Sequence, residues 1–446
     1  MHRPPPLALR GRPAPAPGRQ PRRAFAAPDP QSPSPHPSTI VTPDTVVVAG
    51  GGIAGAAAAL ALHRTGVSVA LLERTGGLRA EGSAIGTWTN AWRALDALGV
   101  GDGLREKWPA LEKIKITKGD GSLIRQWAIA DCGDGRHESR LVMRADLVDA
   151  LAAPLPRECI CFDSRVVAAA TTPGLGATVT LADGTTLPCR AVVGADGVGS
   201  AVAAGLGKGR ASLRYAGYAA VRGVADFGSP AAVPPTIPRS TISFIYGAGA
   251  RAGAIPLGDG RVYWFTVANS AEPAPGRAPP DECRATALAH VAQFGGGVPV
   301  ADLARASPDA TLSRAAVSDA WPAAATRWGA GAVTLAGDAA HPMTPNLGQG
   351  GCVALEDAVV LGRCLSRAAP GDFEATVAAL AAYERAQSTR ARAVAIKSAV
   401  IGAAAQIGGP VVPRLRDAVL ATLYPVSHFL DHADYDCGTL TAEATP

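Results

Sequence analysis

The stretch Thr45 to Glu73, TVVVAGGGIAGAAAALALHRTGVSVALLE, decides the fold. A β-branched apolar run, Thr45 to Ala49, ends abruptly in three glycines, and an alanine-rich helical stretch follows to Arg64. Gly66 stops that helix, and Val67 to Leu72 reads as a second strand. Strand, glycine turn, helix and strand within about 30 residues make a βαβ unit, which demands a parallel sheet. Gly50, Gly52 and Gly55 stand in GxGxxG spacing at the strand-to-helix turn. Gly50 permits the tight turn, Gly52 lets a pyrophosphate approach the backbone, and Gly55 lets helix and strand pack closely. The helix N-terminus at Ile53 and Ala54 adds partial positive charge, and Glu73 closes the second strand as an acceptor for ribose hydroxyls. A dinucleotide site follows; its chemical kind does not.

Charge and composition exclude several classes. The 446 residues are 48% hydrophobic and 18% charged, enough to bury a core across two or three domains. Of 42 basic and 37 acidic residues, 1–43 holds six arginines and one acid, Asp29, so the remainder balances at 36 and 36. The body has no net positive field for nucleic acid. Residues 1–43 also hold thirteen prolines and no structural period, the composition of a disordered, basic, acid-poor organelle transit leader compatible with chloroplast or mitochondrion. Ser398 to Pro413, the longest weakly polar stretch, is too short and glycine-broken for a membrane span, which needs ~20 apolar residues. Eight scattered cysteines contain no CxxC pair, so no metal centre is expected.

Two further constellations narrow the dinucleotide. Far downstream stand Leu335, Ala336, Gly337, Asp338, Ala339, Ala340, His341 and Pro342, followed by Pro345, Gly348, Gln349, Gly350 and Gly351. An acid at a strand end can hold ribityl hydroxyls, and the Gly348–Gly351 turn feeds a helix N-terminus toward a ring that becomes anionic on reduction. A flavin needs such an element; a nicotinamide dehydrogenase does not. Between the two lies Val193, Gly194, Ala195, Asp196, Gly197, Val198, Gly199 and Ser200, a strand ending in Asp-Gly.

In order and spacing, the three elements resemble the flavoprotein monooxygenases of the aromatic-hydroxylase type, with the p-hydroxybenzoate hydroxylase fold. The likeness covers about 44 to 390 and is nearest to plant-type FAD monooxygenases related to zeaxanthin epoxidase and to FAD-dependent urate hydroxylases, through Asn90–Val100, Arg261 with Tyr263–Phe265, and His341–Gly351. It implies an α/β fold: an FAD-binding Rossmann-like domain, an inserted mostly antiparallel β-sheet domain for substrate, and a C-terminal helical segment. The expected boundaries are 44–210 and 331–390 for the FAD-binding domain, 211–330 for the substrate sheet and 391–446 for the helical tail. The resemblance further implies FAD held non-covalently, reduction by NAD(P)H without a second Rossmann domain, and reaction with O2 through a flavin hydroperoxide that hydroxylates or epoxidises a small apolar or aromatic substrate.

Carried over residue by residue, the resemblance places cofactor contacts at Gly50, Gly52, Ile53, Ala54, Gly55, Glu73, Arg74, Gly86, Arg144, Val167, Asp196, Gly337, Asp338, Pro345, Gly348, Gln349, Gly350, Gly351 and Cys352. The family's helix arginine after the Asp-Gly motif has no counterpart here, since Ala203 occupies its position and Gly199 is small. Arg251 and Tyr263, on neighbouring strands of the inserted sheet, are the candidates for substrate contact; as an alternative they form a cross-strand surface pair. His341 is read as structural, Cys352 as a small packing residue, and Trp88, Trp92, Trp264 and Phe265 as core. Glu356 and Asp357 are adjacent on a helix and face different sides, which excludes a carboxylate dyad. His428 and His432, four apart, lack a third ligand. A same-fold flavin reductase that never uses oxygen, and a non-catalytic FAD-binding protein, remain alternatives.

Overall fold

The computed structural model describes residues 34–78, 83–208, 213–293, 299–320, 327–423 and 425–441. Its centre is a five-stranded, all-parallel sheet in the order Val333–Leu335, Ala191–Gly194, Val46–Ala49, Val69–Leu72, Ile160–Cys161. Every residue of these strands is buried, as their continuous apolar runs require when both faces of a sheet are covered; the strand Gly176–Leu181 of a separate three-stranded antiparallel sheet packs beside Ala191–Gly194. The helix Ile53–Arg64 packs along the helix Gly350–Leu365, and alanines at 56–59 and 61 let the two approach closely. Gly362 marks the contact: a Cβ there would sit 2.8 Å from that of Ala61.

A seven-stranded sheet forms the second domain, in the order Ser313–Asp319, Arg214–Asp226, Arg261–Asn269, Ala250–Pro256, Thr241–Tyr246, Lys113–Lys118, Leu123–Ala128. All its pairings are antiparallel except that of Thr241–Tyr246 with Lys113–Lys118. The period-2 alternation divides its faces. Ala250, Ala252, Ala254 and Trp264 lie under the helices Pro280–Ala292 and Val300–Arg305. Arg251, Gly253, Tyr263 and Phe265 stand on the opposite face.

Three boundaries differ from expectation. The Lys113–Ala128 hairpin belongs to the seven-stranded sheet although it precedes residue 211, because Ile114 and Ile116 need the apolar cover that the strand Thr241–Tyr246 supplies. The break at 390 falls inside a single 33-residue helix, Phe373–Ala405, which Asp372 caps by accepting from the Ala375 amide. Its Tyr383 hydroxyl donates to the Leu335 carbonyl at 2.9 Å, and its Ser398 hydroxyl donates to that of Thr344 at 2.6 Å, so both halves serve the flavin-type domain. Residues 34–43 of the expected leader are ordered: Ser34 donates to the Ile160 carbonyl at 3.0 Å, and Pro37 and Val41 are buried. The rest of the leader lies outside the described residues.

Candidate functional site

The glycine turn is built as its spacing requires. Gly50 has φ +107°, and a Cβ there would meet the Ala195 carbonyl at 2.7 Å. A Cβ on Gly55 would fall 1.8 Å from the Gly50 carbonyl, so the helix starts directly against the turn. Beside Gly52 the space is open, and the nearest group is the Arg144 guanidinium, 3.8 Å from where a Cβ would stand. Arg144 opens the helix Arg144–Ala152 and is exposed, so a guanidinium hangs over the place where a pyrophosphate would approach the backbone.

Glu73 is buried and braces the turn. Its Oε2 accepts from the Gly51 amide at 2.7 Å, while Oε1 accepts from the Thr75 amide at 3.0 Å and the Thr75 hydroxyl at 2.7 Å. Arg74 beside it is exposed. Asp196 lies against the same turn, its Cα 2.9 Å from a Gly50 Cβ position. Its Oδ2 accepts from the Ala201 amide at 2.7 Å; its Oδ1 is buried with no partner among the described residues. That orphaned oxygen, the open Gly52 cradle and the overhanging arginine fit a dinucleotide. Val167 is exposed on the edge strand Val166–Thr172, where the pairing register slips between Val166 and Ala168.

The second half of the site meets the first through Gly337, whose Cβ would lie 2.6 Å from that of Ala54. Asp338 follows in a 3-10 turn, is exposed, and stands 3.7 Å from a Gly350 Cβ position. The turn Pro345–Leu347 ends at Gly348, φ +63°, and releases the helix Gly350–Leu365. Beneath it runs the strand Ala84–Trp88: a Cβ on Gly351 would strike Ile85 at 2.3 Å, and the Cys352 thiol reaches the Gly86 carbonyl at 3.6 Å. Burial pushes the Cys352 thiol up to about 12, outweighing the helix dipole, so it is a packing group. Gln349 is 1% exposed, and its Oε1 takes a hydrogen bond from Asn90 Nδ2 at 2.8 Å, so its side chain ties the loop to the helix Thr89–Ala97.

Glu356 and Asp357 hold separate networks. Arg390 grips Glu356 through Nε at 3.1 Å and Nη2 at 3.0 Å. Asp357 Oδ2 accepts from the Gly337 amide at 2.9 Å and from His341 Nε2 at 2.6 Å, and its Oδ1 accepts from Gln387 at 2.9 Å. Burial alone would lower the His341 pKa; the Asp357 carboxylate reverses this and holds it above the usual value. His341 is therefore a brace for the Gly337–Asp338 turn.

Across from this loop stands the other face of the seven-stranded sheet, which meets the loop through Arg251 and Asn346. Phe265 lies over Gly253, with the Phe244 and Tyr263 rings each 6.3 Å from its own, giving an aromatic wall. Arg251 is buried on the same face, 7% exposed, so it is no surface residue. It does not meet Tyr263: the register sets Arg251 against Val267 and Tyr246, while Tyr263 opposes Ile255, four residues along. Tyr263 sits beside Arg222, with burial raising its phenol. The partners of Arg251 are Asn346, whose amide oxygen accepts from Nη2, and Tyr218, whose ring centroid is 5.7 Å from the guanidinium. Its Nε is buried with no partner among the described residues, and burial pulls its pKa down. Tyr218, Tyr246 and Asn346 went unrecognised in the sequence. Asn346 alone carried a signal, its place within the Pro345–Gly351 loop.

His428 and His432 lie in separate 3-10 turns, Val426–His428 and Asp431–Ala433, and no metal-holding cluster occurs among the described residues.

Comparison with known proteins agrees with this geometry. Residues 44–398 match the FAD binding domain family. The chain is 35% identical to aurachin C monooxygenase/isomerase of Stigmatella aurantiaca, over 82% of this chain and 89% of that protein. It is 32% identical to Monooxygenase 1 of Arabidopsis thaliana, over 89% and 99%. Klebsiella pneumoniae HpxO complexed with FAD and uric acid superposes with TM-score 0.72 at 28% identity, over 84% of this chain and 92% of that one. The chain belongs to the FAD binding domain family and is an FAD-dependent monooxygenase that hydroxylates or epoxidises a small molecule.

Proposed function

We propose that the substrate is an apolar or aromatic molecule bearing an ionisable oxygen, held between the Phe244–Phe265–Tyr263 wall and the Pro345–Gly351 loop with that oxygen on Arg251. The observation that carries this reading is the Arg251 guanidinium: buried, with an orphaned Nε, and with a neutral amide and a phenol ring as its protein partners. An enclosed cation without a carboxylate is costly unless a ligand completes it. Arg251 then orients the substrate and favours its ionised form, which is the electron-rich form an oxygen-transfer step attacks.

FAD supplies the redox chemistry when bound, with Gly52, Arg144 and the helix N-terminus at Ile53 on its pyrophosphate, Glu73 and Asp338 on its hydroxyl-bearing arms, and the Gly348–Gly351 turn toward its ring. NAD(P)H and O2 are the inferred co-substrates. The aromatic wall and the Pro345–Gly351 loop exclude water from the reacting face once substrate fills the space between them. The arginine-rich, acid-poor composition of residues 1–43 supports an organelle address, and likeness to the chloroplastic zeaxanthin epoxidase of Nicotiana plumbaginifolia puts the chloroplast first.

A matched panel of phenols and aromatic carboxylates, each with its methyl ether or ester, tests the reading in anaerobic mixtures of the FAD-loaded chain with NADPH or NADH. The ionisable member of a pair accelerates flavin bleaching and its methylated twin does not. Equal effects from both members, or from neither, would overturn it.

A further inference from the structure

The chain from Ile396 to Leu423 leaves a run of large apolar side chains in water. On the helix Val412–Thr422 and its flanks, Val411 (67% exposed), Leu415 (63%), Val419 and Leu423 (72%) recur every fourth residue, with Val412 beside them. That spacing draws one stripe about 18 Å long on one side of the helix. Val400 and Ile407 extend the exposed apolar surface along the neighbouring chain. The opposite side is anchored: Pro413 and Asp417 are buried, Arg416 donates to the Ala405 carbonyl at 2.8 Å, and Arg125 donates to the Leu420 carbonyl at 3.1 Å.

The exposed charge along this segment is basic. From Arg385 to His428 the sequence has six lysines and arginines and a single carboxylate, Asp417, which is buried against Arg416 at 2.8 Å, while Glu356 holds Arg390 and Asp431 holds Lys397. Arg385, Arg392 and Arg414 are exposed. A second copy of this face would bring like charges together, and an acidic protein surface would leave the stripe wet. An anionic bilayer answers both, because its acyl boundary accepts leucine and valine while its phosphates accept arginine.

We propose that the helix Val412–Thr422 is an interfacial helix that docks the enzyme on an anionic lipid surface, with Val411, Leu415, Val419 and Leu423 in the headgroup–acyl boundary and Arg392 and Arg414 at the phosphates. Docking there seats the substrate sheet by one end. Arg416 stacks 5.1 Å from the Tyr246 ring and donates to the Gly247 carbonyl at 3.2 Å, and Tyr246 is the strand partner of Arg251. The site for an apolar substrate is thereby held close to the phase in which such a substrate dissolves.

Co-sedimentation of the FAD-loaded full chain with phosphatidylcholine vesicles, with and without phosphatidylglycerol, tests the proposal without reference to turnover. The chain pellets with the mixed vesicles. The double variant Leu415→Glu/Val419→Glu binds them at least about tenfold more weakly, with unchanged circular dichroism and flavin content. Arg414→Glu weakens binding to the mixed vesicles alone. Wild-type chain that stays in the supernatant with both lipids, or a double variant that pellets like wild type, would overturn it. So would a wild-type dimer that the double variant converts to monomer in the absence of vesicle binding, since a second copy would then cover the stripe.

Discussion

Arg251 and Asn346 join the two domains through a contact that leaves a charge unanswered. The Asn346 amide nitrogen lies 2.8 Å from the Ser398 carbonyl, an atom that can only accept, so the amide oxygen is the atom facing Arg251. Tyr218 and Thr344 oxygens, 3.0 and 2.8 Å from the same nitrogen, complete its surroundings. A carboxylate here would face the Ser398 carbonyl, and asparagine avoids that repulsion. The arginine is held in place while its charge stays available to a ligand.

Arg251→Leu is accordingly expected to weaken binding of an ionised aromatic ligand by about tenfold or more while sparing its neutral methyl ether. Asn346→Asp weakens the ionised ligand by a similar factor, because the new carboxylate competes for the guanidinium. Equilibrium titration monitored by flavin absorbance distinguishes the two ligand classes.

Gly55→Ala forces a methyl group to 1.8 Å from the Gly50 carbonyl. Separation of the helix Ile53–Arg64 from the turn costs roughly 1–3 kcal/mol and spoils the pyrophosphate cradle. The purified variant is expected to lack yellow colour and to unfold at lower urea than wild type. Gly199→Ala, where no atom lies within 4 Å of a Cβ, leaves both unchanged.

His432 is expected to make the protein acid-sensitive. Burial first, then Lys397 and Arg390, depress its pKa to about 3 against the opposing pull of Asp431, 3.7 Å from Nδ1, and both ring nitrogens are buried without a hydrogen-bond partner among the described residues. His290 is depressed to about 4 by burial. A histidine with a lowered folded pKa stabilises the fold above its unfolded value, and that stability is lost as pH falls from ~6.5 toward the folded value, by about 1.4 kcal/mol per pH unit for each group. Urea midpoints measured between pH ~7.5 and ~5 should fall steeply for wild type and less steeply for His432→Leu.

His341 acts in the opposite direction. Its pKa is raised through Asp357, so its contribution is complete below the ordinary histidine value and is lost as pH rises through the higher folded value. Stability is expected to decline on the alkaline side of pH ~6.5, and Asp357→Asn removes that slope while loosening the Gly337–Asp338 turn. Flavin content against pH reads the second effect.

The glycine turns of the candidate FAD site were legible because their motifs are local. A strand, a tight turn and a helix start dictate where glycines stand, and Gly50 to Glu73 and Gly337 to Gly351 carry those demands within short segments. The substrate half depends on register between strands distant in sequence. Arg251 and Tyr263 do lie on neighbouring strands, yet a four-residue offset separates them, and the tyrosines near Arg251 come from Tyr218 and Tyr246 instead. The Lys113–Ala128 hairpin falls within the expected 44–210 segment yet joins the seven-stranded sheet for the same reason, since its parallel partner lies more than a hundred residues away. An alanine-rich helix without a sharp apolar stripe concealed the continuity of Phe373–Ala405.

Visible absorption of the purified chain under anaerobic NADPH or NADH, then on readmission of air, tests the central claim most directly. An FAD-dependent monooxygenase shows oxidised-flavin bands that bleach with reduced nicotinamide, faster with a bound aromatic anion, and return with oxygen. A chain that purifies without flavin and takes up none, or a reduced flavin that stays bleached in air, would contradict it.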